Sequence, residues 1–230
     1  LGLRRLAIEY SHEALWTTGE IDSPSQDFLL QRMSGVRRLS GLLPLGKGQA
    51  SFFWGMRKDE VLSDWDSFKA EALALMPEAS RIIERLSADH VATRVGYRTT
   101  LHYPWYRGNV VLLGDAAHSM PPHLGQGASL ALVDAARLGR ALRAFPSDHQ
   151  AAFSSYQRDR FWKSLYYTAA SLVTSPFFQS DWGVLASFRN FVLPLLQRFP
   201  WIERQMVSTM SGLKAKLFVT RMREDELGSL

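Results

Sequence analysis

The stretch VVLLGDAAHSMPPHLGQGASLALVDAARL, residues 110–138, constrains this chain more than any other. Val110–Leu113 are four consecutive apolar residues without polar alternation, the pattern of a central parallel strand buried on both faces. Gly114, Asp115 and the glycines at 125 and 127 interrupt it. Helical spacing then runs over 126–144 and stops near Phe145-Pro146. A strand, a glycine-rich bend and a helix place a ligand at the carboxyl edge of a sheet. The first amides of such a helix are unpaired and partly positive. Gly125 and Gly127 lack a Cβ, so a ligand can approach their backbone closely. Phosphate, carboxylate or a ring carbonyl gaining negative charge would suit the site. Asp115 repels phosphate but accepts hydrogen bonds from hydroxyls. Together these favour a ligand with hydroxyls near Asp115 and an electron-poor ring near 125–127, which a reduced flavin satisfies. The plainer alternative is a strand–helix joint whose glycines only make the turn.

With 46% hydrophobic and 21% charged residues in 230, the chain reads as a soluble globular protein of one large or two small domains. The net charge is +5 but the basic residues are scattered, so no nucleic-acid partner is expected. The absence of cysteine excludes disulfides and thiolate chemistry and fits a cytoplasmic setting. No apolar run reaches the roughly 18–20 residues of a membrane span.

Residues 1–57 read mostly as strands, with a hairpin turn at Gly46-Lys47-Gly48. Phe52, Trp54 and Met56 alternate onto one face, either lining a substrate pocket or forming sheet-to-helix core. Asp64 or Asp66 caps a helix that Pro77 stops, and a second short helix follows. Residues 91–113 return to extended structure. Residues 147–217 read as helix, cut at Pro176, Gly183, Pro194 and Pro200. His12, His90, His102, His123 and His149 show no metal-ligand spacing. His118 reads as a packing or turn-bonding residue rather than a general base, and Asp134 as a structural ion-pair partner. Neither Ser119 nor Ser129 has the setting of a hydrolytic nucleophile. The segment GVLASFRNFVLPLLQRFPWIERQM fits a packed helix, a dimer interface or peripheral contact with a membrane surface.

GDAAHSMPPHLGQGAS resembles the third flavin-contacting motif of the class A flavoprotein monooxygenases, the aromatic hydroxylases with a para-hydroxybenzoate-hydroxylase-type fold. The fixed elements Gly114, Asp115, Ala116, Ala117, His118, Pro122, Gly125 and Gly127 fall in register. GLLPLG, FFWGMR, Pro77-Glu78 and PFFQSD are similar to a subgroup that includes ubiquinone-biosynthesis hydroxylases. Two departures are Ser129, where many members carry Asn, and His123, where Gln or Ser is frequent.

The resemblance implies an α/β fold: an α+β substrate sheet joined to part of an FAD-binding domain, with C-terminal helices. It places a substrate-binding sheet in 1–96, the C-terminal part of the FAD-binding domain in 97–146 and a helical region in 147–230. FAD would lie against Gly114, Asp115, Pro122, Gly125, Gln126, Gly127 and Ala128. Asp115 would bind ribityl hydroxyls, and the backbone at 125–127 would face the pyrimidine edge. NAD(P)H would reduce the flavin, O2 would add at C4a, and the hydroperoxide would oxygenate a small aromatic or polycyclic substrate. No side chain need act covalently.

The family's other two flavin motifs, Gly-x-Gly-x-x-Gly and Asp-Gly, do not occur in these 230 residues. The expectation is therefore the C-terminal part of such an enzyme, completed by an N-terminal flavin-binding half, with a homodimer as a further partner. The rival expectations are a non-catalytic remnant, half of a split flavoprotein, or a halogenase or prenyl reductase on the same scaffold.

Overall fold

The computed structural model of the chain describes residues 2–22, 28–87, 93–196 and 198–210. His90 and the expected helical residues beyond Met210 lie outside these. Five strands form one sheet: β1 (Arg4–Glu20), β2 (Leu30–Ser34), β3 (Arg38–Gly46), β4 (Gln49–Arg57) and β5 (Thr93–Tyr103), in the order β2-β3-β4-β1-β5. The β2–β3, β3–β4 and β4–β1 pairs are antiparallel. The β3–β4 hairpin turns where the sequence predicts. Lys47 and Gly48 both take positive φ, +51° and +73°, which matches the right-handed twist of the strands they join.

The chain divides into two compact units. The sheet unit comprises Tyr10–Tyr97 and Pro176–Arg189; the turn unit comprises residues up to Glu9, Arg98–Ser175 and those from Asn190 on. In the sheet unit, Phe52, Trp54 and Met56 share one face of β4 with Leu15 of β1. They pack with Phe68 and Ala72 of α1 (Trp65–Leu75) and Ile82 and Ile83 of α2 (Ser80–Arg85). Trp54 meets the Phe68 ring edge-on at 5.7 Å. α1 begins at Asp64, whose carboxylate accepts the Ser67 N–H at 3.0 Å. Pro77 opens the 3-10 turn that separates α1 from α2. On the opposite face of the sheet, Phe53 stacks on Trp16 and lies over Gly41, where any Cβ would collide with the ring.

Two expectations are corrected. Val110–Leu113 is not a central parallel strand. Only Val110–Val111 is strand (β7), paired antiparallel with β6 (Tyr106–Arg107) in a two-stranded ribbon. Val110 is exposed, and Val111, Leu112 and Leu113 are half-buried, packing from one side against a cluster of Trp105, Ala117 and Tyr156. An apolar run reports that a segment is covered, not which element covers it.

Pro176 and Pro194 also fail to break helices. They lie inside α5 (His149–Phe178) and α6 (Val184–Leu196), each two residues from the helix end. Little helix remains there to be disrupted. Ahead of Pro176, the Thr174 and Ser175 hydroxyls donate to the carbonyls of Ala170 and Ser171. Gly183 and Pro200 do mark boundaries, the latter opening α7 (Pro200–Met210).

Candidate functional site

The turn after Leu113 is built in three steps. Gly114 takes φ +54° and ψ −133°, and a Cβ there would lie 2.8 Å from the Ala131 side chain. Only glycine lets the backbone bend this way so close to the following helix. A single helical turn follows, α3 (Asp115–His118), with the Ala117 and His118 amides donating to the Gly114 carbonyl. Residues 119–121 run extended. Ser119 and His118 form bridges with Thr100 and Leu101 of β5. Pro122 then opens a 3-10 turn that Gly125 closes in the left-handed region at φ +64°. Gln126 caps α4 (Gly127–Ala144), its carbonyl accepting the Leu130 N–H at 2.9 Å.

The motif residues divide into two sets. Asp115, Pro122, Gly125 and Ala128 are exposed, and Gly127 is half-buried. Among the described residues Asp115 makes no hydrogen bond or ion pair. Its Oδ1 stands 3.8 Å from where a Cβ on Gly127 would be. The amides of Gly127, Ala128 and Ser129 have no acceptor among the described residues, since no side chain caps α4. A free carboxylate thus faces a helix start with three free amides and no intervening side chain at 127.

Gly114, Gln126 and the Gly125 amide belong to the second set. Gly114 is buried and its N–H points to Asp134 Oδ2 at 3.3 Å. The Gly125 N–H is taken by Pro122 at 2.8 Å. The Gln126 side chain is buried, its amide nitrogen 3.4 Å from the Leu124 carbonyl. The Gly125 amide is thus taken within the turn itself, and the amides of 127–129 are the ones without an acceptor among the described residues.

Behind the turn, Asp134 is fully buried and gathers three donors. His118 Nε2 lies 2.6 Å from Oδ2, Arg160 Nε of α5 lies 2.6 Å from Oδ1, and the third is the Gly114 amide. Burial pushes the Asp134 carboxyl up, yet the His118 hydrogen bond and the Arg160 charge outweigh it and hold the group below the usual carboxylate range. Burial, reinforced by the Asp134 charge, pushes the nearby Tyr156 phenol above its ordinary value. Trp105 packs against both His118 and Tyr156, at 5.3 and 5.5 Å between ring centres. His118 is therefore a turn-bonding residue. Arg160 and Trp105 carry no local sequence signal; each is brought in by packing.

Phe52, Trp54 and Met56 lie in the other unit, each with no exposed surface. They form sheet-to-helix core and offer a substrate nothing to touch. Among the described residues no group of three or more His, Asp or Glu side chains could hold a metal ion.

Residues 13–162 match the family described as FAD binding domain. The chain is 47% identical over 57 residues to 6-hydroxynicotinate 3-monooxygenase of Pseudomonas fluorescens, covering 24% of this chain and 15% of that protein. It is 32% identical over 136 residues to aurachin C monooxygenase/isomerase of Stigmatella aurantiaca, covering 57% of this chain and 35% of that one. Klebsiella pneumoniae HpxO complexed with FAD and uric acid superposes with a TM-score of 0.69 at 21% identity, over 90% of this chain and 54% of HpxO. The chain thus spans about half or less of the length of these relatives. The match to the family runs over more than half of the 230 residues and contains the whole turn and Asp134 with its partners; this chain belongs to the FAD-binding-domain family, that of the class A flavoprotein monooxygenases.

Proposed function

We propose that residues 114–129 hold the isoalloxazine and ribityl end of FAD in an NAD(P)H-dependent enzyme that hydroxylates a small aromatic substrate. The observation that carries this reading is the unpartnered, exposed Asp115 carboxylate facing the free amides of Gly127, Ala128 and Ser129. Asp115 accepts hydrogen bonds from ribityl hydroxyls. The three amides, at the positive end of α4, stabilise a ring carbonyl edge that gains negative charge on reduction. The missing Cβ at Gly127 lets the ring approach the backbone. Pro122 and Gly125 form the lip of the turn, and Gly114 fixes its angle through Asp134.

FAD, when bound, supplies the redox chemistry: electrons from NAD(P)H, transfer of one oxygen atom of O2 to the ring, and release of the other as water. The protein's part is to hold the ring and keep water away. The named activity of the 6-hydroxynicotinate relative and the uric acid bound by HpxO favour an electron-rich heteroaromatic ring as the substrate class.

These 230 residues carry no glycine fingerprint for the pyrophosphate. The chain is therefore expected to bind riboflavin and FAD with comparable affinity, through the shared ring and ribityl chain. Titration with each flavin, followed by quenching and a shift of its absorption, tests this. Asp115→Ala is expected to weaken both about tenfold, the loss of a hydrogen bond to a charged group worth about 1.5 kcal/mol. Adding a polypeptide that bears the glycine fingerprint should raise FAD affinity alone and permit NAD(P)H-dependent hydroxylation with O2 uptake. A chain that leaves flavin spectra unchanged, alone and with that polypeptide, refutes the proposal.

A further inference from the structure

Within the sheet unit, Pro176–Arg189 lies far from the strands in sequence yet packs with them. The Ser180 N–H donates to the Val36 carbonyl at 2.9 Å, and the buried Arg189 donates to the Gly35 carbonyl at 3.1 Å. Gln179 is buried directly over Gly55, where any Cβ would collide with its amide. Arg57 pairs with Asp181, but these side chains are 40% and 43% exposed, so the pair holds the segment only weakly.

The same face carries a buried imidazole. Ala14 stands opposite Gly55 and His12 opposite Arg57, so His12 lies on the face that Gln179 covers. His12 is 2% exposed. The Ser11 hydroxyl lies 3.0 Å from its Nδ1, and its Nε2 has no partner among the described residues. The charges around it are Asp181 of the segment, Arg57 and Asp59 at the end of β4, and Arg38 of β3. Tyr10 and Tyr97 are the further titratable groups of this face, and they stay neutral below pH ~10. Both carboxylates are already committed to Arg57: Asp59 accepts from Nε and Nη2 at 2.8 and 2.9 Å, and Asp181 accepts from Nη1.

A neutral imidazole fits this place. A second proton would put a charge where Nε2 finds no free acceptor, and it would set His12 against Arg57 in competition for Asp181. Lifting residues 179–181 returns His12 to water and removes both penalties. We infer that Pro176–Arg189 is a latch, closed over neutral His12 and released when His12 takes up a proton. Burial is the largest cause lowering the His12 pKa in the closed form, which gives the coupling its sign: the open form binds the proton more tightly. This inference does not rest on the flavin reading and can stand or fall separately.

Backbone amide exchange of the full chain, read by mass spectrometry between about pH 7.5 and about pH 5 and corrected for the pH dependence of the exchange chemistry, tests it. Residues 177–189 should open up to about tenfold more often for each pH unit below about 6.5, levelling off at the lower pKa of the closed form. Peptides from β3 and β4 should keep their protection. His12→Gln should leave residues 177–189 equally protected throughout the range. Asp181→Asn should speed exchange there at neutral pH and keep the acid response, because the burial of His12 remains. An acid response that is absent from 177–189 overturns the inference. So does one shared equally by β3 and β4, or one kept in full by a folded His12→Gln chain.

Discussion

Replacing Asp134 by Asn removes a negative charge from a place that water does not reach. Three donors converge on this carboxylate: Arg160 and His118 at 2.6 Å each, and the Gly114 amide at 3.3 Å. Arg160 is itself only 3% exposed, and Asp134 is its only hydrogen-bond acceptor among the described residues. Asp134→Asn therefore leaves a buried guanidinium without a counter-charge. Removing one partner of a buried ion pair costs about 3–5 kcal/mol. The Asn amide keeps one acceptor oxygen for three competing donors, which places the expected loss near the lower end, about 3 kcal/mol. Urea unfolding followed by tryptophan emission and far-UV circular dichroism measures it, two probes being needed because the chain has two compact units. Flavin affinity should fall in the same variant, because the Gly114 bend loses its tether. The double variant Asp134→Leu, Arg160→Leu removes both charges and should recover part of the stability, the cost of the unpaired guanidinium, while His118 and the Gly114 amide still lack their acceptor. A single-variant loss below about 1 kcal/mol, the scale of an exposed pair, refutes the argument. A double variant no more stable than the single one does the same.

Gly114→Ala should destabilise by about 2–5 kcal/mol in urea, adding the strain of positive φ to a 2.8 Å clash with Ala131. Trp54→Ala should lose about 3–5 kcal/mol and leave the flavin titration of the folded chain unchanged, because Trp54 is core and not pocket. Stability should decline on acidification, starting below about pH 6.5. Burial lowers the His12 pKa, with Arg57 and Arg38 adding to it and Asp181 and Asp59 opposing. The unfolded chain therefore takes up the His12 proton first, and His12→Gln should remove this early decline in unfolding curves measured against pH. A steeper loss should follow near and below pH ~4. Arg38 holds Glu60 below its ordinary pKa, Arg32 does so for Glu78, and Asp134 lies low as described. What these carboxylates contribute is complete above their unfolded values and lost as pH falls through the lower folded ones.

Local chemistry made much of this fold legible. The Asp64 cap, the Pro77 stop, the Lys47-Gly48 turn and the period-two face of β4 each depend on a few neighbouring residues, and each appears where the sequence predicts it. The prolines at 176 and 194 misled for a positional reason. A proline is costly in a helix interior, but nothing in the residues around it says that the helix will end two residues later. Val110–Leu113 misled for a different one. Four apolar residues specify burial, and the aromatic cluster of Trp105 and Tyr156 supplies it without a parallel neighbour.

The candidate site shows the same division inside a single motif. Its three glycines look alike in sequence, yet they meet different surroundings. Gly125 only needs its left-handed φ, since nothing lies within 4 Å of where its Cβ would be. At Gly127 the demand is for space beside Asp115, in the direction a ligand would come from. Gly114 needs both the positive φ and the room, and its room faces Ala131 inside the protein. A pattern of spacings cannot tell a glycine that yields to a ligand from one that yields to the next helix, because both are selected by the same missing atom. The distinction comes from what stands opposite, and for Gly114 that is α4 and an aspartate tied to Arg160 on α5. The half of the motif that points outward could thus be read from its own residues. The half that points inward could be read only once Arg160 was in place, and its loss should therefore loosen the turn as surely as a change within the motif itself.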